Sequence, residues 1–119
     1  MLIRKLRNSI EEQQNCKMAD ADDYMYYIQQ DYVFHTALAE ATGNRFLCDV
    51  VERLNTHSTR CLILSTTLLS SYKPAVVEHT AIVDALERKE YDHAYQAMDN
   101  HLRQIEKRYI DRTERKKLE

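Results

Sequence analysis

The chain has 119 residues and a mass of 14.1 kDa, enough for one hydrophobic core and too little for two. Gly43 and Pro74 are its one glycine and one proline, where average usage gives about 14 of the two together; this excludes turn-rich sandwiches, barrels and Gly-rich phosphate loops. With 17 basic and 19 acidic residues the formal net charge is −2, which is not the basic footprint that DNA binding needs.

The expectation is an all-α, antiparallel helical bundle of about five helices, because apolar residues recur at three and four throughout. The first helix, about Leu2 to Met18, carries Leu2, Leu6 and Ile10 on a sparse apolar face, and Asp20, Asp22 and Asp23 offer capping groups to the next. The second, about Asp22 to Thr42, ends where Gly43-Asn44 can turn left-handed. The third runs from about Asn44 to Ser71, with Leu47, Val50, Val51, Leu54, Cys61, Leu64 and Leu68 expected inward. Lys73-Pro74 opens a fourth helix to about Lys89, with proline in the first turn, where its missing N–H costs nothing. The fifth spans about Glu90 to Arg115, and the basic run Arg112, Arg115, Lys116, Lys117 suits its C-terminal dipole. No repeat or linker suggests a boundary, so residues 1–119 are expected to form one domain.

Cys16, Cys48 and Cys61 are odd in number and form no CxxC pair, which fits a reducing cytoplasm. The 12-residue uncharged stretch from Cys61 to Tyr72 is too short to span a bilayer, and Glu11-Glu12 replaces the apolar core of a signal peptide. A cytoplasmic protein without a membrane segment is expected.

Three apolar stripes carry a histidine each: Tyr24, Ile28, Asp31, His35, Leu38 on the second helix; Ala75, His79, Ile82, Leu86 on the fourth; and Tyr91, Ala94, Met98, His101, Ile105 on the fifth. Burying a carboxylate beside imidazoles is costly unless its charge is paired, and a divalent metal would pair it. Asp31 and His35 are i and i+4, close enough to share one ion, with His79 and His101 closing the site from two other helices. Three nitrogens and one oxygen suit zinc first, with nickel, manganese or iron as alternatives. The same spacing also fits a hydrogen-bonded polar core. On the third helix Arg53, His57, Arg60 and Leu64 form a line that is either a solvated face or one whose His57 and Arg60 lean into the same cavity, where a guanidinium would clamp a carboxylate. His93 falls on a polar line, and the tyrosines read as helix packing.

Asp31-Tyr-Val-Phe-His35, Leu38-Ala-Glu-Ala-Thr-Gly43-Asn44, Glu78-His79 with Ile82, Ala85 and Leu86, and Ala94, Met98, His101-Leu102 occur in that order. Together they resemble the FCD domain, the C-terminal effector domain of FadR-type GntR transcription regulators. The resemblance implies metal ligation by Asp31, His35, His79 and His101, a small organic acid as effector, an arginine matching Arg60 at the ligand, and a homodimer. It also implies an N-terminal winged helix-turn-helix that alone contacts DNA, a segment this chain lacks; the family's first effector-domain helix also looks cut. Lys89-Glu90 stands where the family usually has Gly-Asp. The expected function is ligand sensing without catalysis. Two other classes compete: a metal-dependent hydrolase with a three-His, one-Asp site, and a plain helical dimerisation module. The hydrolase lacks a general base, because Glu78 and His79 point about 100° apart on their helix.

Overall fold

The computed structural model describes residues 1–65 and 68–118, with side chains described outside 58–65, 116 and 118. It is all-α: α1 (Leu2–Asn15), α2 (Ala21–Glu40), α3 (Arg45–Ser65), α4 (Leu68–Glu87) and α5 (Tyr91–Leu118), with no strand among the described residues. Two compact units divide the chain, Met1–Thr59 and Arg60–Glu119.

In the first unit α1 packs against α2. The sparse apolar face of α1 is completed by polar residues that satisfy one another: Leu6 and Ile10 are buried beside Ser9 and Gln13. Gln13 Nε2 donates to Ser9 Oγ (3.1 Å), and Ser9 Oγ donates to the Gln30 carbonyl (2.8 Å). Near the start of α2, Tyr26 donates to Glu12 (2.5 Å), and near its end Lys5 pairs with Glu40, so the helices run antiparallel. The deepest residues of α2 are Tyr27, Phe34, Ala37 and Ala39, while the expected Tyr24–Leu38 stripe is half-buried.

α1 stops three residues earlier than expected because Cys16 is extended and Met18 has φ 53°. Asp20 then caps α2 by accepting from the Asp23 N–H (2.9 Å), while Asp23 Oδ2 accepts from the Ala19 N–H (2.8 Å). At the other end Gly43, φ 71°, turns the chain, and Asn44 Oδ1 accepts from the Leu47 N–H (3.0 Å) to start α3. The expected inward face of α3 is largely open: Leu47, Val50 and Leu54 are exposed and Val51 is half-buried. Cys61 and Leu64 lie outside the described side chains.

In the second unit α4 packs on α5. The expected helix boundary at Lys73-Pro74 is corrected: Pro74 lies inside α4, which begins at Leu68. An interior proline removes one helical hydrogen bond. The stripe nevertheless runs through it, with Leu68, Ser71, Ala75, His79 and Ile82 all buried, and a hydrogen bond from Arg108 Nε to Ser71 Oγ (2.8 Å) holds the turn before Pro74 onto α5. Tyr91 and Tyr95, expected to pack, are exposed.

α4 ends in a Schellman turn. The Glu90 N–H donates to the Ala85 carbonyl (2.9 Å) and the Lys89 N–H to Leu86 (3.0 Å). This puts Lys89 at φ 60°, a left-handed conformation that costs a residue with a Cβ about 1–2 kcal/mol. After the greater unfolded-state entropy of glycine is subtracted, Lys89→Gly should stabilise the chain by about 0.5–1 kcal/mol. Urea unfolding of the two proteins would read this as a higher midpoint at unchanged slope.

Candidate metal centre

The buried face between α4 and α5 holds two imidazoles with no exposed surface, His79 and His101. Their Nε2 atoms face each other at 3.1 Å, with the rings edge-on at 73°. His101 Nδ1 lies 2.7 Å from Glu78 Oε1. Arg108 grips that carboxylate with both terminal nitrogens, Nη1 to Oε2 at 2.8 Å and Nη2 to Oε1 at 2.9 Å. Four groups thus form one line, Arg108 to Glu78 to His101 to His79, with Ser71 steadying the arginine. Helical spacing produces it: Ser71 and Glu78 are seven apart on α4, His101 and Arg108 seven apart on antiparallel α5.

Burial works against the ionised form of Glu78, but the hydrogen bonds from Arg108 and His101, together with their charges, outweigh it. Its carboxyl is held below its ordinary value of 4.5. An ionised Glu78 only accepts, so His101 donates from Nδ1 and, when neutral, keeps a lone pair on Nε2. That lone pair can accept from a His79 protonated at Nε2.

In the first unit Asp31 and His35 pair one turn apart on α2, with Oδ1 to Nε2 at 3.4 Å and both side chains partly buried. Of the four sequence-predicted ligands, Asp31 and His35 belong to the first unit and His79 and His101 to the second. His57 is exposed on α3; the side chain of Arg60 lies outside the described residues. His93 is exposed and hydrogen-bonded to Glu90 (2.9 Å), as its polar line predicts.

The donor set suits a transition metal. Two nitrogens each about 2.1 Å from one ion, at tetrahedral to octahedral angles, stand about 3.0–3.4 Å apart, and the Nε2 atoms of His79 and His101 stand 3.1 Å apart. Arg108 and Ser71 are not singled out by the sequence, and Glu78 stands there only beside His79, whereas its carboxylate reaches sideways to α5. The seven-residue spacings were the available signal.

The chain matches the family model described as the FCD domain over residues 2–104 and belongs to that family, whose domains are the C-terminal, effector-binding parts of GntR-type regulators. Neither the curated proteins nor the solved structures compared with it give a match. FCD domains are typically regulatory rather than enzymatic, and often bind divalent metals. No helix among the described residues is long and apolar enough to cross a membrane.

Glu78 also makes a pH prediction. Its folded value is depressed, so its stabilisation is complete above 4.5, the ordinary value, and is lost as pH falls through the lower folded value. Metal-free wild type should exceed Glu78→Gln in stability at neutral pH, and the gap should close below about pH 4.5. Denaturant titrations at several pH values, with chelator present, would show a constant gap if the carboxylate were not the cause.

Proposed function

We propose that Asp31, His35, His79 and His101 together hold one divalent transition metal, zinc by preference and nickel, manganese or iron as alternatives. The chain then serves as the ligand-sensing domain of a metabolite-responsive transcription regulator. The observation that carries this is the buried His79–His101 pair, whose facing Nε2 atoms stand at the separation one ion would require. Family membership supports the regulatory setting, and the chemistry of Asp31 and His35, an oxygen and a nitrogen one helical turn apart, completes a three-nitrogen, one-oxygen set.

When bound, the metal would supply a positive centre for the carboxylate of a small organic acid. Arg60 and His57 are the proposed effector-binding partners on α3, a guanidinium being suited to a carboxylate in fork geometry. In this proposal residues 1–119 act as one FCD-like domain within a cytoplasmic, homodimeric regulator whose DNA contacts belong to a winged helix-turn-helix elsewhere in the longer protein. Effector binding would shift the population of domain arrangements through its differential affinity for them. A hydrolytic role for Glu78 is disfavoured by a positive feature of the site: both its oxygens are taken by Arg108 and His101, so it is not poised to activate water.

The test is elemental analysis of wild type, His79→Ala and His93→Ala, purified without a metal-affinity step and reconstituted with zinc. About one zinc per chain in wild type and His93→Ala, with loss in His79→Ala, is expected. The loaded protein should then gain thermal stability with hydroxy- or dicarboxylates and not with neutral sugars. No metal uptake would return the chain to an interaction module with a polar core.

A further inference from the structure

We infer that Glu78, anchored by Arg108 and Ser71, is the positioning residue of the centre: it selects the His101 tautomer that can ligate and fixes its ring direction. The inference rests on the metal reading above and adds residues that the ligand set does not contain.

The geometry assigns each group a distinct part. His101 has two ring nitrogens, and only the one without a proton can bind an ion. Glu78 Oε1, 2.7 Å from Nδ1, accepts a hydrogen bond from Nδ1–H and so leaves Nε2 without a proton, its lone pair directed toward His79. A histidine whose second nitrogen donates to a carboxylate is both oriented and made more basic.

Arg108 explains why the acid must be a glutamate. Its Nη1 and Nη2 occupy both Glu78 oxygens, and its Nε is held by Ser71 Oγ. The fork demands two acceptors. A glutamine amide has one acceptor oxygen and one donor nitrogen. With its oxygen toward His101, the amide nitrogen meets Arg108 Nη1, donor against donor. With the amide reversed, its N–H₂ faces His101 Nδ1, which must then accept, and the ring proton moves to Nε2, the atom needed for the metal. Either arrangement damages the line while the residue keeps its size.

Two measurements on the full chain test this. In metal-free wild type at neutral pH, long-range ¹H–¹⁵N NMR of the ring nitrogens should show His101 protonated at Nδ1, and an Nε2–H tautomer would overturn the proposal without any metal present. Zinc affinity by chelator competition should fall about 10- to 100-fold in Glu78→Gln, with helicity and one-to-one stoichiometry retained. Glu78→Asp, which keeps the charge and both oxygens on a shorter arm, should bind more tightly than Glu78→Gln. Wild-type affinity in Glu78→Gln, alongside loss in His101→Ala, would overturn the positioning role and leave the metal reading intact. No zinc binding by wild type itself would overturn both.

Discussion

Two imidazoles with no exposed surface must have their polar atoms satisfied, and in this protein one ion pair makes that possible. Arg108 neutralises Glu78, and Glu78 in turn accepts from His101. Burying charges is costly, and breaking such a pair by removing one partner typically costs about 3–5 kcal/mol. Here the fork geometry uses both carboxylate oxygens, so the pair is well satisfied within the α4–α5 unit. The Nε2 atoms of His79 and His101 then face each other at 3.1 Å. Much of the second unit follows from that line. Ser71 must lie opposite Arg108, so α4 has to begin before Pro74; Lys89 must turn left-handed so that α5 can return alongside α4.

The helical elements were legible in the sequence because their signals are local. The three–four apolar period gave five helices, Asp20 and Asp23 gave the start of α2, and Gly43-Asn44 gave its end. His79 and His101 were legible for the same reason, each sitting mid-stripe on its own helix. Pro74 misled, because a first-turn proline and an interior proline look alike until tertiary contacts decide between them. Ser71 on Arg108 is that contact. The stripe of α3 was overread: a periodic apolar face shows that burial is possible, and Leu47 and Leu54 are exposed on it.

Glu78 and Arg108 were hidden for a different reason. A carboxylate beside a histidine in sequence points away from it on the same helix, and that is true of Glu78 and His79. Its real partners lie on α5, 23 and 30 residues further along the chain. Such pairing becomes visible in sequence only when an antiparallel register is assumed and charges are matched across it. The departure from the family's glycine at Lys89 was visible in the sequence, and the residue takes φ 60° at the end of α4.

The proposed metal site requires the α2 pair and the α4–α5 pair to serve one ion. X-ray absorption of the zinc-loaded chain tests this most directly, because imidazole rings leave characteristic outer-shell scattering. A four-coordinate centre of three imidazole nitrogens and one oxygen at about 2.0–2.1 Å is expected, reduced to two imidazoles in His35→Ala. A wild-type centre with only two imidazoles, unchanged by His35→Ala, would contradict it by showing that Asp31 and His35 take no part.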